Sequence, residues 1–230
     1  MRGFGMGQSR RAFAAFLRNG FLAAALMACA APVAQVAGQA GGGGSSSPAG
    51  GFALKAGDRV VFFGDSITDQ RLYTTFVETY VVTRFPNLDV RFTHSGWGGD
   101  RVTGGGGGGI GQRLERDVIA YKPTMVTVML GMNDGRYRAF DQQIFEIYSR
   151  GYRNIVQTLK KGLPGVRITA IQPSPYDDVT RAPVFKGGYN ETLLRYSDFI
   201  AELAAAEGIQ TADLNRPVVA MLVKAKATDP

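Results

Sequence analysis

From Asp58 onward, short apolar runs alternate with segments of helical periodicity, and this alternation constrains the fold more than any other feature of the chain. Arg59-Val60-Val61-Phe62-Phe63 is an apolar run closed by Gly64-Asp65-Ser66. Residues 70–85 place Leu72, Phe76, Tyr80 and Phe85 at helical spacing, with Tyr73, Val77 and Val81 alongside, before Pro86-Asn87 breaks the pattern. Strands are predicted over residues 89–93, 125–130, 166–171 and 209–212. The run 125–130, MVTVML, is apolar but for Thr127, the pattern of a strand buried on both faces. A helix over 141–161 carries Ile144, Ile147, Tyr148, Tyr152, Ile155 and Leu159 on one face and stops at Pro164-Gly165. Further helices are predicted over 191–207, stopped by Gly208, and over 217–227. Together these elements predict an α/β fold, a parallel sheet between two layers of helices. In such a fold ligands sit beyond the carboxyl ends of the strands.

Composition excludes several alternatives. The 230 residues are 45% hydrophobic and 20% charged, enough apolar material for a full core and too much for a disordered chain. One cysteine, Cys29, rules out a disulfide scaffold, and with His94 as the one histidine it rules out a Cys/His zinc site. No metal and no cofactor is expected. The net charge of +7 is concentrated at the N-terminus, where residues 1–51 hold Arg2, Arg10, Arg11 and Arg18 and no acid. The rest of the chain carries +3, with no basic run interleaved with aromatics, so no nucleic-acid partner is expected.

Those N-terminal arginines precede an apolar run over residues 21–28 and small residues through Ala40, the pattern of a secretory signal over residues 1–40. Ser9-Arg10-Arg11-Ala12-Phe13 resembles a twin-arginine export signal. Two exits compete: cleavage near Gly38-Gln39-Ala40, or lipid attachment at Cys29, since Leu26-Met27-Ala28-Cys29 resembles a lipobox with an unusual Met. The expected location is periplasmic or extracellular, with membrane attachment only if Cys29 is lipidated. Residues 41–51, GGGGSSSPAGG, predict a flexible linker, and the folded domain is expected over 52–230.

Three post-strand turns stand out: Gly64-Asp65-Ser66-Ile67-Thr68-Asp69, Gly96-Trp97-Gly98-Gly99-Asp100 and Gly131-Met132-Asn133-Asp134. Each alone is ordinary, and a serine in such a turn is more often a helix N-cap. In order, after successive strands, they resemble the three sequence blocks of the GDSL/SGNH hydrolase superfamily over residues 58–215. The resemblance implies a flavodoxin-like sheet of order 2-1-3-4-5, a serine nucleophile at Ser66, and an oxyanion hole from Ser66, Gly99 and Asn133. Elementary chemistry is consistent with those roles. Free N–H groups at a strand-to-helix turn favour negative charge, and preorganised donors stabilise a developing oxyanion.

The family's catalytic pair, an Asp-x-x-His before a final helix, has no counterpart in these residues. A serine hydroxyl needs such a base. His94 lies where the family often has asparagine and is expected to buttress the second turn rather than act as the base. The expectation is a domain incomplete at its C-terminus, lacking the catalytic His and Asp and the final helix; truncation or natural loss accounts for it.

Gly104 to Gly109 satisfies G-x-G-x-x-G trivially and lacks the Lys of a phosphate loop, so a flexible loop is expected there. No G-x-S-x-G elbow occurs. Asp177-Asp178 could meet a hard cation, with a solvated loop the alternative, and Tyr176, Phe185 and Tyr189 are candidates to line a substrate cleft. The resemblance thus implies an exported serine esterase acting on a small-molecule or carbohydrate ester, such as an acetylated sugar. The alternative is a catalytically inactive carbohydrate-binding protein of the same fold.

Overall fold

The computed structural model describes residues 53–228. Residues 1–40, read above as an export signal with Arg10, Arg11 and Cys29, and residues 41–51, read as a linker, lie outside the described residues. β1 (Arg59–Gly64) leads into a one-turn helix α1 (Ser66–Asp69) and then α2 (Leu72–Arg84). β2 (Arg91–Gly96) is followed by a glycine hairpin, β3 (Gly104–Gly105) with β4 (Gly108–Gly109), and by α3 (Ile110–Asp117). Then come β5 (Met125–Met129), α4 (Gln142–Gly162), β6 (Arg167–Ile171), α5 (Gly188–Glu207), β7 (Gln210–Ala212) and α6 (Arg216–Thr228). The main sheet is wholly parallel in the order β2-β1-β5-β6-β7, the flavodoxin-like order expected once the hairpin is set aside.

The two sheet faces are packed unequally. Val61, Phe63, Val126, Val128, Ile168 and Ala170 share one large cluster with side chains of α3, α4 and α5. α4 contributes most visibly. Asp141 caps it by accepting from the Ile144 N–H at 3.1 Å, and Tyr148, Tyr152, Ile155, Val156 and Leu159 are fully buried. Tyr152 and Tyr148 also donate their hydroxyls to the carbonyls of Val128 (2.8 Å) and Leu130 (3.2 Å), which ties the helix to the end of β5. On the other face Val60, Phe62 and Met125 meet Tyr73 of α2 in a much smaller cluster.

Three expectations fail here. The stripe Leu72, Phe76 and Tyr80 of α2 faces outward, and each is more than half exposed. Thr74 and Val81 are the buried positions, and Glu78 reaches inward to His94, so a polar pair occupies part of the helix's inner face. Ile147 on α4 is likewise exposed. The glycine run is not a loose loop either. It pairs as an antiparallel hairpin, and a Cβ at Gly107 would come within 2.7 Å of the Trp97 ring. Glycine is required there by close approach.

Candidate active site

Strand register brings the three turns together. Gly64 pairs with Gly96 on one side and with Met129 on the other, so the chain leaves β1, β2 and β5 at one level. The Trp97 N–H donates to the Gly64 carbonyl at 3.0 Å, joining the first two turns. Asn133 Nδ2 donates to the Asp100 carbonyl at 3.0 Å, and the Val102 N–H donates to Asp134 Oδ1 at 3.0 Å, joining the second and third. Asn133 Nδ2 is also 3.5 Å from Asp65 Oδ2, the first turn.

Ser66 is the first residue of α1 and is partly exposed. The capping role falls to Asp65, whose Oδ1 accepts from the Ile67 N–H at 3.0 Å. Neither the Ser66 hydroxyl nor its N–H has a hydrogen-bond partner among the described residues. The Gly99 N–H is likewise uncommitted, on the exposed part of the second turn. A Cβ at Gly99 would meet nothing within 4 Å of it, so within the chain it is the left-handed backbone, φ 77°, and not crowding, that selects glycine.

Buried charge surrounds these donors. Asp65 is almost fully buried, and its carboxyl is pushed up to about 6 by desolvation, with the charge of Asp100 adding to the effect. Desolvation, reinforced by Asp65, pushes Asp134 up to about 7. Asp134 Oδ2 is buried without a partner.

Arg113, on α3, was not singled out from the sequence, yet it organises the second turn. It is 1% exposed, and its Nε donates to Asp100 Oδ2 at 2.8 Å while Nη2 donates to the Ser95 carbonyl at 3.1 Å. Nη1 pairs with Asp117, and the guanidinium lies 4.9 Å from the Phe63 ring centroid and 5.6 Å from that of Trp97. Its sequence context, an arginine in a short polar helix, gives no signal of this role. His94 does not buttress that turn. It pairs across from Phe62, its Nε2 meets Glu78 Oε2 at 3.1 Å on the α2 side, and Nδ1 is buried without a partner. No hydrogen bond joins His94 to Ser66.

An aromatic cluster closes the opposite side. Met132, Tyr189 and Leu193 form a buried cluster, and Ile67, Tyr176 and Phe185 pack against it, so the residue after Ser66 shares a cluster with α5 and the third turn. Tyr189 is itself buried and donates to the Met132 carbonyl at 2.7 Å. Tyr137 was missed in the sequence. Its hydroxyl donates to Asn133 Oδ1 at 3.0 Å, and its ring centroid lies 5.0 Å from that of Tyr189. Asp177 and Asp178 turn inward to hydrogen bonds from Thr180, Val179 and Asn190, and among the described residues no group of three or more His, Cys, Asp or Glu side chains is suited to a metal.

Residues 62–228 match the GDSL-like Lipase/Acylhydrolase family, and the chain belongs to that family. An acetylxylan esterase from Geobacillus stearothermophilus is 31% identical over 96 residues, which is 35% of this chain and 42% of that protein. A gut microbial diltiazem-metabolizing enzyme of known structure is 34% identical over 77% of this chain and 41% of its own, with a TM-score of 0.63. The chain thus spans less than half the length of these two relatives. The crystal structure of the Geobacillus stearothermophilus acetylxylan esterase has a TM-score of 0.60 over 77% of this chain and 83% of its own, at 22% identity, and supports the fold. Solved variants described as catalytic mutants of that esterase replace a serine, an aspartate and a histidine three residues after the aspartate.

Proposed function

We propose that this protein is a serine hydrolase that removes a small acyl group, such as acetyl, from a carbohydrate ester. The observation that carries the reading is that strand register brings the turns holding Ser66, Gly99 and Asn133 to one end of the sheet, with the Ser66 hydroxyl and the N–H groups of Ser66 and Gly99 uncommitted. Ser66 Oγ attacks the ester carbonyl and a base takes its proton. The carbonyl oxygen becomes an oxyanion held by those two N–H groups and the Asn133 amide, the alcohol leaves with the proton, and water then releases the acid from Ser66. The exposed rings of Trp97 and Tyr137 flank the turns and offer apolar faces to a sugar.

His94 is engaged by Glu78, so this proposal assigns the base role to no residue of the sequence; in the Geobacillus esterase, catalytic mutants replace an aspartate and a histidine three residues after it. The signal-like residues 1–40 support export, with Cys29 as a candidate lipid anchor. The test is hydrolysis of p-nitrophenyl acetate and of acetylated xylo-oligosaccharide by the product of the whole gene and by its Ser66→Ala variant. Turnover abolished by the substitution supports the reading. Sugar binding without turnover in the parent protein favours the non-catalytic alternative, to which the engagement of His94 by Glu78 lends support.

A further inference from the structure

An oxyanion donor is useful only if it points the right way, and a side-chain amide has two faces. Asn133 carries its oxygen and its nitrogen on one rotatable plane, and an Oδ1 turned toward the oxyanion position would repel the charge it should hold. Two contacts oppose that outcome. The Asp100 carbonyl, which only accepts, takes one Nδ2 hydrogen at 3.0 Å. Tyr137 donates its hydroxyl to Oδ1 at 3.0 Å. The second Nδ2 hydrogen has only Asp65 Oδ2 at 3.5 Å, too long for a strong bond, and stays available.

Tyr137 is placed there at conformational cost. Arg136 and Tyr137 adopt consecutive left-handed conformations, φ 56° and 54°, in a region that bulky residues rarely enter. Strain of this kind persists only when the surroundings fix it, and here the surroundings are aromatic. The Tyr137 ring lies tilted on Tyr189 and meets Tyr176 edge-on at 6.0 Å, while Tyr189 is bonded to the Met132 carbonyl next to Asn133. The ring contacts hold the tyrosine in place, and the hydroxyl then acts on one atom.

We propose that Tyr137 is a positioning residue whose hydroxyl fixes the Asn133 amide with Nδ2 toward the oxyanion position. The proposal rests on the oxyanion role given to Asn133 above, and its test separates the two. Tyr137→Phe keeps the ring and removes the hydroxyl. In the product of the whole gene it should lower kcat for p-nitrophenyl acetate by about 3- to 10-fold, the worth of one hydrogen bond, with KM essentially unchanged. In an Asn133→Ala background the same change should cost nothing further. The ¹H–¹⁵N side-chain amide signals of Asn133, identified by their absence in Asn133→Ala, should shift and exchange faster with solvent in Tyr137→Phe. Amide signals unmoved by Tyr137→Phe, or equal losses of kcat in both backgrounds, would overturn the proposal. An amide response in a protein that hydrolyses no ester supports the orientation assigned to Tyr137 and defeats the esterase reading instead.

Discussion

Asp65, one residue before Ser66, takes the capping role that a serine in this turn would ordinarily fill, and so leaves the hydroxyl free. Asn133 donates its amide to the Asp100 carbonyl at 3.0 Å and only weakly, at 3.5 Å, to Asp65, the residue before Ser66. Asn133→Ala should therefore lower kcat by roughly 10²–10³ with little change in KM, because the lost donor acts mainly in the transition state. Steady-state kinetics on p-nitrophenyl acetate check this, and an unchanged kcat would remove Asn133 from the site. Asp134 predicts a pH dependence of stability. Its folded pKa, raised by burial and by Asp65, lies at about 7, above the ordinary carboxylate value of 3.8. The folded state thus binds the proton more tightly, and stability falls as pH rises from near 4 to about 7. Asp134→Asn keeps the Oδ1 acceptor for Val102 and removes the ionisation. Thermal melts should show it stabilising at pH 8, with the gain shrinking toward pH 4; an equal gain at both would contradict the assignment.

Among the elements, α3 and α2 carry the sharpest expectations. Arg113→Met strands Asp100 as a buried, unpaired carboxylate and should cost about 3–5 kcal/mol in urea unfolding. A loss below about 1 kcal/mol would mean that the second turn is held by its glycine hairpin and not by the ion pair. The outward stripe of α2 predicts the opposite behaviour. Phe76→Ser should stay within about 0.5 kcal/mol of the parent, while Leu159→Ala in α4 should cost about 2–5 kcal/mol, since Phe76 is 51% exposed and Leu159 is 0% exposed. The parallel sheet was legible because strands such as 125–130 are apolar at every position but Thr127 and glycines close β1 and β2. The stripe of α2 misled because periodicity reveals an apolar face without saying whether anything covers it. The six glycines carry no pattern at all, and their hairpin is set by Trp97 and Arg113 packed against Gly107.

Across the described residues, the three turns gather at one end of the sheet because parallel strands send them all the same way. The three turns that hold Ser66, Gly99 and Asn133 were readable from the sequence because each follows a predicted strand. Arg113 and Tyr137 were not, because their roles depend on tertiary contacts with Asp100 and Asn133. The small cluster on the α2 face, beside the large one under α4, means that the stability of the domain is concentrated on one side of the sheet. The account as a whole turns on Ser66 as the nucleophile. The most direct measurement is peptide-mapped mass spectrometry of the whole-gene product after treatment with a phosphonate ester that traps activated serines. The account predicts a single adduct on Ser66, absent in Ser66→Ala, with loss of p-nitrophenyl acetate hydrolysis in step with labelling. An adduct on another residue, or ester hydrolysis that survives Ser66→Ala, would contradict it.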